Sequence, residues 1–149
     1  MMEIIGRTDL LDFPELNLEN LDVKIDTGAY TSSIHCHEIH EININGTKYL
    51  RFKVLDDTYP KYQDQIITVR NYKSKKVRSS FGDIEERFVI RTQVILFNKE
   101  YPIELSLSDR SEMRFPVLIG RKFLNKNFIV DPSTKNMSSR SKNSIEINQ

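Results

Sequence analysis

A single cysteine, Cys36, stands in a chain of 149 residues, so no internal disulfide can form and a cross-linked scaffold is excluded. A surplus of one charge is lacking too: 22 Lys and Arg face 21 Asp and Glu, and the formal net charge is +1. That balance gives no compositional case for a nucleic-acid or membrane-surface partner. No apolar run approaches the ~20 residues that cross a bilayer, and Met1-Met2-Glu3-Ile4-Ile5-Gly6-Arg7 shows no basic segment leading into a signal-length apolar core. The expectation is a soluble, cytoplasmic protein without a membrane partner. Helical periodicity is nearly missing as well, whereas short alternating apolar runs recur throughout, which predicts an all-β fold, barrel or sandwich. The length suits one domain, since a chain of this size hides roughly 70% of its extended surface.

What is present centres on Val23-Lys24-Ile25-Asp26-Thr27-Gly28-Ala29. Leu21, Val23 and Ile25 share one face of a strand because side chains alternate with period two, so a packed strand delivers Asp26 at its tip. Gly28 and Ala29 are small enough to let another backbone approach. A carboxylate at the edge of a core, beside residues too small to cover it, is placed for chemistry. Taken alone, the tripeptide also reads as an ordinary surface turn, since Asp, Thr and Gly are common turn residues. A second short apolar run ending in glycine lies far downstream, at Phe115-Pro116-Val117-Leu118-Ile119-Gly120-Arg121.

Around these two pieces the remaining elements fall in order. Residues 4–20 predict an edge strand and turn, with Pro14 unsuited to a central strand. Tyr30 to His37 continues extended. Ile42 and Ile44 before Asn45-Gly46, with Leu50, Phe52 and Val54 after it, predict a hairpin with a tight turn. Residues 56–82 turn polar and carry the basic group Arg70, Lys73, Lys75, Lys76 and Arg78, read either as a hairpin over a site or as a solvated excursion. Strands follow at Phe88–Leu96 and Ile103–Leu107 around a turn at Asn98-Lys99-Glu100. Asp109 to Met113 forms an irregular link, Arg121–Leu124 one helical turn, and Phe128–Val130 a last strand stopped by Asp131-Pro132. Residues 1–132 thus read as the folded domain and 133–149 as a polar, loosely attached tail.

With the elements in place, the chain resembles the bacterial and archaeal family of small retropepsin-like proteins labelled putative ATP-dependent zinc proteases and associated with RimK-type glutamate ligases. The resemblance rests on Ile5-Gly6-Arg7, Phe13-Pro14-Glu15-Leu16, Lys24–Ala29, Thr31-Ser32-Ser33-Ile34-His35, Arg91-Thr92, Leu107–Arg110, Met113, Phe115–Arg121 and Val130–Ser133, in that order. It implies a closed acid-protease β-barrel, with the apolar-apolar-Gly strand packed beside the Asp-Thr-Gly loop. It also implies that Asp26 is the catalytic aspartate, that Thr27 braces the loop through its hydroxyl, and that Gly28, with Ala29, admits the substrate backbone.

Aspartic-protease chemistry needs two carboxyl groups close enough to share one proton. Only one Asp-Thr-Gly occurs here. The economical expectation is a homodimer in which Asp26 meets its own copy on a twofold axis, acting on a peptide or protein substrate, with a functional link to an ATP-grasp glutamate ligase. Arg121 reads either as an ion-pair partner within the fold or as a holder of a substrate carboxylate. Arg91 and Arg110 read the same way, their functional version being a pocket for acidic or glutamate-modified substrates. The family's older label invites a metal site at His35-Cys36-His37-Glu38-Ile39-His40, yet His37 and His40 are three apart and lie beside strands, unlike the helical zinc-protease spacing. No metal or cofactor is therefore expected. Three alternatives stay open: a catalytically silent dimeric peptide-binding module, a zinc-dependent peptidase built on those histidines, and nucleic-acid binding through Arg70–Arg78, which neighbouring acids disfavour.

Overall fold

The computed structural model describes residues 2–78, 81–109 and 114–148. Eleven strands make up most of it: β1 (Glu3–Ile5), β2 (Thr8–Phe13), β3 (Leu18–Ile25), β4 (Ser32–Ile44), β5 (Thr47–Val54), β6 (Ile66–Val69), β7 (Tyr72–Arg78), β8 (Ile84–Leu96), β9 (Lys99–Ser108), β10 (Val117–Ile119) and β11 (Phe128–Val130). Two helices, α1 (Arg121–Leu124) and α2 (Met137–Asn148), complete it.

Strand pairing runs β10-β3-β2-β8-β9-β4, and β4 pairs back onto β10, which closes a barrel of six strands. Closure removes the free edges that an open sheet of these lengths would expose. Long β4 and β8 reach beyond the barrel. The far half of β4 forms the predicted hairpin with β5, turning at Asn45 (φ 52°) and Gly46 (φ 84°), the left-handed pair that a two-residue hairpin loop requires. β6 extends that ribbon, and β7 pairs with the first half of β8 from Tyr72↔Ile90 to Arg78↔Ile84. The basic stretch is thus largely one arm of a β7–β8 hairpin, paired with residues beyond the 56–82 stretch.

Alternation fills the barrel. Leu11, Phe13, Leu21, Val23, Ile90, Val94 and Leu105 are buried while the residues beside them along β2, β3, β8 and β9 are more exposed; Ile34, Val117 and Ile119 complete the core on β4 and β10, where neighbouring His35 and Leu118 are buried too. Each such aliphatic side chain contributes about 1.5–3 kcal/mol by leaving water, which is what fixes the register of β3 and brings its last residue to the barrel rim.

Three sequence expectations are corrected. β2 is not an edge strand, for it pairs with β3 along its length and with β8 at Asp12↔Ile95; Pro14 escapes the sheet by opening a single 3₁₀ turn at Pro14–Leu16. The β8–β9 turn lies at Phe97 and Asn98, both with positive φ, so Lys99 and Glu100 already belong to β9. Residues 133–149 are not simply a loose tail, because most of them form α2 and its start is tied to the barrel. Buried Asp9 accepts hydrogen bonds from the backbone N–H of Ser138 (2.9 Å), Ser139 (3.1 Å) and Leu10 (2.8 Å), and Ser138 Oγ accepts from Phe97 N at 2.8 Å. A buried carboxylate at a helix start satisfies N–H groups that the helix leaves over. Ser and Asn composition hid this, because the partner lies some 130 positions away on β2.

Burial raises the Asp9 carboxyl above its ordinary value against the pull of its N–H donors, which limits the net gain. Asp9→Ala is therefore expected to cost about 2 kcal/mol and to strip α2 from the barrel, seen as a lower urea midpoint with loss of helical circular dichroism. Lys142→Ala, which removes a partly exposed ion pair with Asp12 (3.1 Å), should stay within about 0.5 kcal/mol.

Candidate active site

The barrel rim positions Asp26 through the pairing of β3 with β10. The two strands run parallel in the register Val117↔Val23, Leu118↔Lys24 and Ile119↔Ile25, and the next N–H, that of Asp26, donates to Ile119 O at 2.8 Å. Beyond that bond the chain turns. Asp26 Oδ1 accepts from Gly28 N at 3.0 Å, and Asp26 O accepts from Ala29 N at 3.2 Å. Asp26 is half-buried, Thr27 and Gly28 are exposed, and Ala29 is half-buried. Among the described residues nothing hydrogen-bonds the second carboxylate oxygen of Asp26 or the Thr27 hydroxyl. The loop therefore presents a carboxylate oxygen and a hydroxyl outward, held from behind and open in front.

The glycine at the end of β10 makes this packing possible. A Cβ on Gly120 would lie 2.7 Å from the carbonyl oxygens of both Tyr30 and Thr31, so only glycine lets the strand end press against the loop. Gly120 N donates to Ser32 Oγ (3.0 Å), Arg121 N to Ala29 O (2.8 Å) and Lys122 N to Tyr30 O (2.9 Å). The start of α1 is thereby sewn to the loop that carries Asp26. Buried Ser32 was quoted in the sequence motif without a role; its hydroxyl faces inward on a strand that otherwise buries apolar groups, which is the signal it offered.

Arg121 does not form the fold-internal ion pair that one of its two readings predicted. Its Nη1 donates to Thr27 O at 2.9 Å and its guanidinium sits 5.8 Å from the Tyr30 ring centre, while no carboxylate of the described residues pairs with it. The fold-internal ion pair is thus corrected: the arginine braces the loop through a carbonyl, a geometry that its planar donor fork suits and a lysine lacks. Arg121→Ala is expected to lower kcat/KM for any peptide that the loop processes by about tenfold, with a melting temperature changed by no more than a few degrees.

The histidines serve the fold. Buried His35 donates from Nε2 to Asp56 (2.7 Å), and its Nδ1 lies 3.6 Å from Asp109; His37 donates from Nδ1 to Leu55 O (2.6 Å). Their rings pack, tilted, against those of Tyr59 and Tyr62. Together these contacts strap residues 55–62 to β4, and hydrogen bonds from Thr58, with the His35 contact, hold the Asp56 carboxyl below its ordinary value against the opposing effect of desolvation. Cys36 is buried between them on the other strand face, and burial pushes its thiol far up, away from the thiolate that a metal would need. Among the described residues no three His, Cys, Asp or Glu side chains converge as a metal site.

Arg91 lies on the outer face of β8 and lines a cavity of about 420 Å³ that reaches Thr31 and Ser32, a few residues beyond Asp26. Arg110 lies outside the described residues. Sequence reading named Lys75 only as part of a basic patch and did not single out the cavity's other charged walls, Arg87, Glu104 and, from α1, Lys122; alternation along β7, β8 and β9 offered the clue, but only pairing of the three strands brings Lys75, Arg87 and Glu104 to one face.

Comparison with known proteins agrees with this geometry. The RimB-like family, described as retropepsin-like aspartic endopeptidase RimB, matches residues 4–141. Proteins named probable alpha-L-glutamate ligase from Desulfotalea psychrophila and Parasynechococcus marenigrum are 36% and 31% identical over 88% and 87% of this chain. The chain spans only 28% of the length of each of these relatives. A crystal structure of a Legionella pneumophila protein of unknown function superimposes with a TM-score of 0.68 at 28% identity, covering 91% of this chain and 98% of that one.

Proposed function

Because this chain belongs to the RimB-like family of retropepsin-like aspartic endopeptidases, we infer that it hydrolyses peptide bonds as a homodimer in which two copies of Asp26 face each other across a twofold axis. The observation that carries this reading is the Asp26 loop, backed by Ile119 and Gly120 of β10 and open in front, with one such loop per chain. The Thr27 hydroxyl has no partner among the described residues, and in such a dimer it would bond the facing loop of the second copy.

In the dimer the two carboxyl groups share one proton. The ionised one takes a proton from water as the water oxygen bonds the substrate carbonyl carbon, and the protonated one donates to the carbonyl oxygen. In the collapse of the resulting gem-diol, the carboxyl that took the water proton gives it to the amide nitrogen, and the other carboxylate takes a proton back from a hydroxyl as the C–N bond breaks, which releases a carboxylic acid and an amine and restores the shared proton. Gly28, with no side chain between loop and solvent, and Ala29 leave room for an extended substrate backbone.

The substrate class we favour is an acidic or glutamate-modified peptide, gripped in part by Arg91, with Arg110 and Arg121 as further candidates. Relatives named for glutamate ligation support a functional link to an ATP-grasp glutamate ligase, since the segment that matches this chain makes up a little over a quarter of those proteins.

Dilution tests the reading directly. Specific peptidase activity should fall as the concentration drops through the range in which sedimentation shows dimer giving way to monomer, and chelators should leave it unchanged. Activity that is independent of dilution in a monomeric protein would overturn the shared dyad. Loss on chelation with recovery on zinc would favour the zinc-dependent alternative, and absence of hydrolysis in a stable peptide-binding dimer would favour the silent module.

A further inference from the structure

Beyond the closed barrel the main sheet keeps two open edges, β6 and β7, because β6 pairs only with β5 and β7 only with β8. An open edge offers unpaired N–H and C=O groups to any extended chain, and charged side chains are the usual guard against that. β7 is guarded by Lys73, Lys75, Lys76 and Arg78 within its 7 residues. β6 is not. Ile66-Ile67-Thr68-Val69 is uncharged and wholly β-branched, Ile66 is 56% exposed, and no backbone group on the far side of β6 is bonded among the described residues.

Charges of opposite sign stand at the two ends of this edge, Asp64 before it and Arg70 directly after it. The ion pair of Asp64 with Lys53, which faces Ile66 across β5, sets the carboxylate beside the exposed face of Ile66. Asp64 Oδ1 takes both Lys53 (2.8 Å) and the Tyr62 hydroxyl (2.9 Å), which leaves Oδ2 unbonded among the described residues, and Arg70 has no ion pair among them. An antiparallel strand offers its free groups on alternate residues, so two copies of one edge can pair only where residues of the same parity stand opposite. Of those registers, the one centred on Ile67 sets Ile66 against the second copy's Thr68 and brings Asp64 alongside the second copy's Arg70 at both ends. Centring on Thr68 sets Ile66 against Arg70 instead, and centring on Ile66 sets Thr68 against Asp64.

We propose that β6 is a self-association edge, through which two copies pair antiparallel about a twofold axis at Ile67 and join their β4-β5-β6 ribbons into one sheet. A twofold contact must be self-complementary, and a segment that reads acid, apolar, base is its own complement when reversed. Parallel pairing sets acid on acid and base on base, and an extended peptide of one charge sign suits one end and is repelled by the other. This contact is separate from the pairing of Asp26 loops and does not rest on it. Four paired residues a side fall well short of the ~800 Å² per partner of a stable stand-alone interface. The edge therefore joins molecules at high concentration, where it turns dimers held through Asp26 into tetramers.

Cross-linking tests the register and sedimentation tests the association. Cys36, the one native cysteine, is buried, so introduced thiols report alone. Full-length Ile66→Cys and Thr68→Cys proteins, mixed under a mild oxidant, should form a disulfide-linked pair at least about fivefold more readily than either variant by itself. Residues directly opposite in an antiparallel pair stand ~4.5–5.5 Å apart at Cα, within disulfide reach, whereas the diagonal distance between two copies of one position is beyond it. In a concentration series the native protein should build species that Ile66→Lys removes. Arg70→Asp should weaken that step by about three- to tenfold and Arg70→Lys should leave it within about twofold; melting temperatures should stay within a few degrees, since both positions are exposed. Cross-linking no greater in the mixture than in the single variants, or a concentration series in which native and Ile66→Lys proteins behave alike, would overturn the proposal. Failure of the peptidase reading looks different. Were the Asp26 loops not to pair, native protein would still form the β6 dimer, Ile66→Lys would be a monomer, and the mixed cross-link would still appear.

Discussion

Asp26→Asn is expected to abolish peptide hydrolysis, by at least about 10³-fold in kcat/KM, while leaving the fold and the dimer in place. The exchange keeps the side chain's size and its acceptor for Gly28 N, now at 3.0 Å from Oδ1, and removes only the group that exchanges a proton with water. General acid–base catalysis by a positioned side chain accounts for about 10²–10⁴ in rate, and in the proposed dimer both roles would fall on copies of Asp26. Symmetry sharpens the prediction. When native and Asp26→Asn proteins are mixed and allowed to re-pair at random, only native pairs hold two carboxyl groups, so equal amounts should leave about a quarter of the activity of undiluted native protein. About half would mean that each chain works alone. Mass measurement on the mixture verifies that pairing has re-equilibrated.

How much of this was legible beforehand depends on how local the signal was. The strand into Asp26, the Asn45-Gly46 hairpin, the single turn of α1 and the short β11 were all read from alternation and turn chemistry, and all are present. The closure of the barrel was implied by the family resemblance alone, because the β10–β3 and β10–β4 pairings join segments some 90 positions apart whose residues carry no mutual mark. The same distance concealed the tethering of α2. Its sequence is polar and lacks an apolar face, so nothing in its own composition predicts attachment; Asp9, on a different strand, provides it.

The site was legible in its chemical centre and less so in its supports. Asp26, Thr27 and Gly28 announced themselves by type and order. Arg121 was singled out, but as a charge seeking a charge, whereas its contact is the carbonyl of Thr27. The basic residues of β7 were weighed as a loop that might meet nucleic acid, since along the chain they alternate with polar neighbours and no wall is visible. Pairing with β8 and β9 brings Lys75 to the face that carries Glu104, and part of a scattered patch becomes one side of a cavity.

The largest stability effect should come from a single methyl group. Gly120 has an ordinary backbone conformation, φ −97°, so the cost of Gly120→Ala is one of space. The added Cβ would stand 2.7 Å from two carbonyl oxygens, both backbone atoms of the loop that carries Asp26, and neither can swing aside as a side chain would. Either β10 or residues 30–31 must retreat by several tenths of an ångström, which stretches the bonds of Gly120 to Ser32, Arg121 to Ala29 and Lys122 to Tyr30 together. Overpacking of this kind costs about 1–3 kcal/mol, and the weakened hydrogen bonds take the expected total to about 3 kcal/mol or more, a fall in melting temperature of roughly 6–12 °C. Protein that remains folded should still lose about tenfold or more in kcat/KM, because a loop displaced by several tenths of an ångström no longer aims its carboxyl group. Gly46→Ala provides the contrast: its added methyl meets nothing, its φ of 84° imposes about 1 kcal/mol of strain, and activity should be unchanged. If Gly120→Ala matched that mild behaviour, the contact between β10 and the Asp26 loop would not be what holds the carboxylate in place.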